Sequence, residues 1–363
     1  MAMTSIGVPK LEFTFRSAAE ETASRLKNGV VALIIRDTMK DGGLFSVASG
    51  DDIPAKLSAA NAAYVKRALM GCRGARPGRV YVSVTGADGD IVADGAGALS
   101  AVDFDYLAGP PDMTAEDAAK LLAWLEKARK GYCIGKLVAA DYPADNMAVV
   151  NFSATDISDG TSTYTAGAYC SRIAGILAST DLAASATFAP LPEVVSVGAV
   201  EDPDAAVNAG KLILLHDGRK AKLCRAVNSL TTVPAGGKES LRKIKVVEAV
   251  DLIRSYALRL GEDKYMGVRN NSYDNKLAFV AGLQEYLQEL EALGVMAAGT
   301  GNAGIDFEAQ RAWLKASGAA VEKMSDEEIT QADTGSHVFI LLSGTIMDAM
   351  EDFSLALTMG GNA

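Results

Sequence analysis

The pattern with the most direct chemical reading is Gly299-Thr-Gly-Asn-Ala-Gly304, which has the spacing G-x-G-x-x-G. Glycines so spaced let a backbone approach a pyrophosphate, provided a strand leads in and a helix opens on the last glycine. Here the preceding pattern is a helix ending near Leu293, which favours a helix-to-helix loop over a dinucleotide site. Gly237-Lys238 and Gly210-Lys211 each end like a phosphate loop. However, Thr232 and Ala205 replace the first glycine, and Glu239 and Leu212 replace the Ser/Thr. His216 and His337 are the only histidines, and neither neighbours a G-x-S-x-G elbow, so no hydrolase triad is indicated. Cys72, Cys133, Cys170 and Cys224 form no C-x-x-C pair, which argues against a zinc site and for a reducing compartment. No catalytic residue, metal ligand or cofactor is therefore expected. The competing reading is a cytoplasmic α/β enzyme that uses a nucleotide-type cofactor through the Gly299–Gly304 loop.

Charge gives two further features. Between Lys211 and Lys245 lie Lys211, Arg219, Lys220, Lys222, Arg225, Lys238, Arg242, Lys243 and Lys245, opposed only by Asp217 and Glu239. A basic island in an acidic chain implies either an acidic partner or a face neutralised internally, and both readings stay open. Asp348, Glu351 and Asp352 read as a solvated or salt-bridged face rather than a metal cluster.

The ends alternate apolar and polar residues with period two, the mark of a half-buried strand. Leu11, Phe13 and Phe15 share one face near the start, and Phe353, Leu355, Leu357 and Met359 repeat the pattern near the end. No adjacent segment is available to pair with either. Such strands invite pairing with another chain, so both ends are expected to be inter-subunit arms.

The elements between them alternate. Val30–Ile35 and Val80–Val84 read as buried strands, and Ser58 caps a helix carrying Ala62, Val65 and Leu69 that ends at Gly71. Residues 86–99 read as turns or loop. Thr114 and Asp117 open a helix that buries Ala118, Leu121, Leu122 and Leu125. Strands follow at Ile134–Ala139, Ala148–Phe152, Val194–Val200 and Leu212–Leu215, with a helix over Tyr169–Ala178. After Gly236 and Gly237, two long helices place Val246, Val250, Ile253, Ala257 and Leu260, then Leu277, Val280, Leu283, Leu287 and Leu290, each along one face. Asp306 caps a helix through Leu314, Ser325 and Glu328 form a capping box, and Val338–Leu342 is a last strand. The expected fold is α/β, or α+β: a parallel or mixed sheet with helices on its faces and an extended arm at each end. The expected division is 1–20 as N-terminal arm, 21–235 as a first α/β body, 236–344 as a C-terminal α/β domain and 345–363 as C-terminal arm.

At 363 residues the chain can bury a large core. Hydrophobic residues make up 49% and mean hydropathy is +0.13, rich enough to bury surface against partners as well. The net charge of -10 argues against general nucleic-acid binding. No apolar run approaches the roughly 20 residues of a membrane helix, and the first residues do not read as a signal peptide. Synthesis in a cytoplasm is expected.

Several stretches together resemble one family: Tyr169-Cys-Ser-Arg-Ile-Ala-Gly-Ile-Leu-Ala178, Asn208-Ala-Gly-Lys-Leu-Ile-Leu-Leu215, Arg225-Ala-Val-Asn-Ser-Leu-Thr-Thr232, Tyr273-Asp-Asn-Lys276 and Asp348-Ala-Met-Glu-Asp352. The chain resembles the tail sheath proteins of contractile phages and phage-tail-like particles, in the compact form found with Gram-positive hosts. The likeness runs from about Val30 onward and is densest after Cys170. It implies a structural polymer of six-membered rings stacked around an inner tube, with tube, baseplate and tail terminator proteins as partners. It also implies that the arms add strands to a neighbour's sheet while the sheath shortens, with no nucleotide consumed. On this reading Leu11, Phe13, Phe15, Phe353, Leu355 and Leu357 are the arm contacts, Arg242, Lys243 and Lys245 face the tube or a neighbour, and Gly7 and Gly344 are hinges. A tube or baseplate protein is a further alternative, although tube proteins are usually much shorter.

Overall fold

The computed structural model describes residues 29–39, 43–233 and 238–356. Its strands are β1 (Val30–Arg36), β2 (Leu44–Val47), β3 (Arg79–Thr85), β4 (Tyr106–Ala108), β5 (Lys136–Ala140), β6 (Val149–Ser153), β7 (Ile157–Ser158), β8 (Thr163–Tyr164), β9 (Pro190–Leu191), β10 (Lys211–His216), β11 (Ala221–Leu223), β12 (Asn302–Ile305) and β13 (Ile340–Ser343). Its helices are α1 (Ala59–Leu69), α2 (Ala115–Arg129), α3 (Ala166–Ser179), α4 (Pro203–Asn208), α5 (Ile244–Lys264), α6 (Tyr273–Ala292), α7 (Phe307–Ala316) and α8 (Asp326–Gln331).

Nine strands form one sheet in the order β2-β3-β1-β4-β5-β6-β10-β11-β9. The six from β3 to β10 run parallel, and β2 and β11 join antiparallel on either side. β1 is apolar from Val30 to Ile35 because both of its faces are covered. Val31, Leu33 and Ile35 pack with α1 and α3, while Ala32 and Ile34 pack with Leu121 and Leu125 of α2. α3 lies so close to α1 that a Cβ on Gly175 would sit 2.1 Å from the Ala68 carbonyl oxygen.

The capping predictions hold. Ser58, Thr114, Asp306 and Ser325 each accept a backbone N–H at a helix start, and Asp117 and Glu328 complete capping boxes. Three expectations fail. Leu277, placed on the apolar stripe of α6, is 42% exposed. Residues 91–101 are helical turns rather than loop, held by Asp90 on the Val92 and Ala93 amides and burying Ile91, Ala96 and Leu99. Their Gly- and Ala-rich composition hid that apolar face. Val194–Val200 is not a strand. Its middle makes only a bridge to Ser158, and Val195 stays 61% exposed.

α5 and α6 build a second core with Leu260, Leu283, Leu287, Leu290 and Val295, and the β12–β13 pair packs on it through Ala303, Ile340 and Leu342. α5 meets the first body along the amino ends of the parallel strands. Asp251 bonds Arg129 at the end of α2 (2.7 Å) and Lys136 at the start of β5 (3.0 Å), and the Tyr106 hydroxyl of β4 donates to Glu248 (2.5 Å). The boundary expected at 236 lies outside the described residues. No helix among them is long and apolar enough to cross a membrane.

Candidate subunit-linking site

Beyond β13 the chain stays docked. Ala297 donates to the Thr345 carbonyl (2.8 Å), Thr345 N–H to Thr300 Oγ1 (3.0 Å) and Met347 N–H to the Val295 carbonyl (3.2 Å). Gly344 is wedged into this contact: a Cβ there would meet Met296 Cε at 1.8 Å and Gly301 Cα at 3.3 Å. Gly344 is thus a packing glycine rather than a hinge, and the docked chain runs past the arm boundary expected at 345.

The acidic residues then meet the basic island. Lys243 pairs with Asp348 and lies 3.9 Å from Glu351, while Arg225 pairs with Asp352 and lies 3.8 Å from Glu351. Thr187 Oγ1 donates to Glu351 Oε1 at 2.6 Å. The Glu351 side chain is only 6% exposed, and its Oε2 accepts no hydrogen bond among the described residues, so the two cations hold it by charge alone. Part of the basic island is therefore neutralised within the subunit. The sequence showed both clusters, but Lys243 and Asp348 lie 105 positions apart, and nothing local announces that they pair.

Past this clamp the chain leaves the surface. Phe353 is 72% and Leu355 91% exposed, next to Met350 at 87%, and residues 351–356 pair with no strand among the described residues. Leu11, Phe13, Phe15 and Leu357, like Gly7, lie outside the described residues. The β12–β13 pair forms a separate two-stranded sheet; the outer edge of β12 is met by Gln284 of α6, which accepts the Ala303 amide (2.8 Å), whereas the outer edge of β13 has no strand partner among the described residues. Leu341, on the face turned from α6, is 43% exposed.

The remaining predicted residues fall as follows. Lys245 must be withdrawn from the contact set, because it is 5% exposed and donates to the Ala183 carbonyl (3.3 Å) inside the subunit. Arg242 binds Glu239 (3.2 Å) and the Asn208 carbonyl (2.6 Å). The Gly299–Gly304 loop does not present its amides to a phosphate. Gly299 and Gly301 donate theirs to the Glu291 carboxylate of α6, which holds that carboxyl below its ordinary value. At the carboxyl end of β1, the side on which open α/β sheets hold ligands, Arg36 pairs with Asp112 and Asp117, each at 2.9 Å, and a cavity of about 610 Å³ opens beyond Asp112 between Pro110, Asp141 and Thr165. His216 accepts from the Gly218 amide (3.1 Å) within a turn, and His337 stacks beside Trp313 and Phe339. Among the described residues no group of three His, Cys, Asp or Glu could hold a metal ion.

No family model matches the sequence. The chain is 37% identical over 360 residues to the tail sheath protein of Clostridium phage phiCD119, covering 97% of this chain and 99% of that protein. Its fold is similar to the sheath tail protein of Desulfitobacterium hafniense (TM-score 0.66, 16% identity, 82% of this chain and 93% of that one). It is also similar to the helical sheath of the anti-feeding prophage in its contracted state (TM-score 0.65, 15% identity, 98% of this chain and 100% of that one). With its 37% identical, near full-length relative and its mixed sheet flanked by helices, this chain belongs to the family of tail sheath proteins, structural components of phage and phage-like tails.

Proposed function

We propose that the chain polymerises as stacked six-membered rings around an inner tube and that the polymer contracts to drive the tube through a cell envelope. Tail tube, baseplate and terminator proteins are its partners in that role. The observation that carries the reading is the C-terminal segment, fixed as far as Asp352 and then presenting Phe353 and Leu355 to solvent. A fixed root with an apolar extension suits strand addition to a neighbour, with the open edge of β13 as acceptor. Leu11, Phe13 and Phe15 supply the second arm and Leu357 extends the first. Burying each large apolar side chain is worth about 1.5–3 kcal/mol, less the cost of ordering the arm. In this proposal the arm flexes after Asp352, so the subunits stay linked while their bodies repack.

Arg242 and Lys243 remain candidates for tube or neighbour contact through the part of their charge not used internally. Such contacts are individually weak, at about 0–1 kcal/mol, which suits an interface that must release.

Deleting residues 353–363, or residues 1–16, should leave a folded subunit with native circular dichroism that forms no striated cylinders by electron microscopy. Long cylinders from either deletion would refute the linking role of that arm.

A further inference from the structure

Phe188 combines an aromatic side chain 49% exposed with a backbone φ of +55°. Bulky residues rarely occupy that region, and the strain persists only where the surroundings enforce it. Here its N–H donates to the Leu223 carbonyl (3.1 Å), and the Lys222 ammonium lies 4.5 Å from the ring centre. Lys222 also bonds Asp217 (2.7 Å), whose other oxygen accepts the amides of Arg219 and Lys220, both at 3.0 Å. Ring, ammonium and turn are thereby fixed as one unit on the outer edge of the large sheet. Arg219 and Lys220 are exposed at its tip, and neither pairs with a carboxylate among the described residues. A groove of about 490 Å³ opens beside Phe188, walled by Val207, Cys224 and Arg225 together with the acids Asp204, Glu351 and Asp352. Glu351 and Asp352 are already paired with Arg225 and Lys243, so the part that fits an acidic segment of a partner is the Phe188 ring with Lys222 and the exposed Arg219 and Lys220.

This chain offers such a segment in α8. α8 exposes Asp326, Glu327 and Glu328 and is anchored through Ile329; among the described residues none of the three acids has a cation partner. The basic turn follows β10 at the carboxyl edge of the parallel strands. A contact between two different surfaces of the same chain is heterologous, the type that extends an open helical polymer. We infer that the Phe188–Lys222 patch with Arg219 and Lys220 receives the acidic α8 of a second copy. The inference rests on the sheath reading and adds a contact between bodies to the linkage through arms.

Charge exchange on the full chain tests it. The pair Arg219→Glu and Lys220→Glu, and separately the pair Asp326→Lys and Glu327→Lys, should each raise the critical concentration for polymerisation about tenfold, with the thermal midpoint unchanged. All four substitutions together should restore polymerisation. Failure of either pair to weaken it, or of the exchange to restore it, overturns the contact and leaves the patch facing another acidic surface. If the native chain does not polymerise, the sheath reading fails by itself. The contact is then judged by carbodiimide coupling in a concentrated mixture of ¹⁴N- and ¹⁵N-labelled protein. Mixed-isotope crosslinks from Lys220 to Asp326 or Glu327 support it, and their absence overturns it.

Discussion

Glu351 joins two charge clusters that the chain keeps far apart. Lys243 and Arg225 hold it from two sides and Thr187 donates to it, so removing its charge leaves both cations under-compensated. Glu351→Gln should loosen the segment from Asp348 onward at a cost of about 1–3 kcal/mol. Limited proteolysis should then cut near Phe353 faster than in the native chain, with the body intact. Glu291 acts in the same way on the glycine loop. Its carboxyl lies below the ordinary 4.5 because the Gly301 and Gly299 amides donate to the charged form. A depressed folded value means that the stabilisation is full above about pH 4.5 and is lost as the pH falls through the lower folded value. Glu291→Gln should therefore melt below the native chain at neutral pH, and the two melting curves should converge on acidification.

α5 shows why one amphipathic stripe does not describe an element. Its apolar spacing correctly marks Val246, Ala257 and Leu260 as buried, but Glu248, Asp251 and Arg254 are buried as well, on a face turned to the sheet. Periodicity reads charged positions as solvent-facing. Here they are inside because Arg129, Lys136 and Tyr106 supply partners from other elements. Breaking a buried pair on one side costs about 3–5 kcal/mol, since the other charge remains desolvated. Asp251→Asn should lower stability by that order in urea unfolding. Asp251→Leu combined with Lys136→Met and Arg129→Met should recover much of the loss if charge compensation, rather than shape, is what fails.

For the whole molecule, a buried ionic seam supplies rigidity, and in the proposed assembly the terminal segments supply the tether between neighbours. The seam ties α5 to the sheet, and the clamp at Asp348–Asp352 fixes where the C-terminal segment departs. A deletion beginning at residue 353 therefore removes only chain outside the clamp. That is why it should abolish linkage without unfolding the subunit, whereas a cut at 345 would also strip Ile346 from the second core.

Sequence alone determined what depends on neighbours a few positions apart. β1 and β3, the caps at Ser58, Thr114, Asp306 and Ser325, and the apolar stripe of α6 from Leu283 to Leu290 all follow from local periodicity and hydrogen-bonding chemistry. Family membership was legible for a related reason, since it rests on whole stretches such as Tyr169–Ala178. Tertiary structure decided which distant charges meet, because burial and pairing depend on elements brought together across the chain. It placed Lys245 inside the subunit, gave the Gly299–Gly304 amides to Glu291, and locked Gly344 against Met296 and Gly301. It also joined Lys243 and Arg225 to an acidic segment more than a hundred residues away, since long-range Coulomb pairing leaves no periodic trace in the sequence.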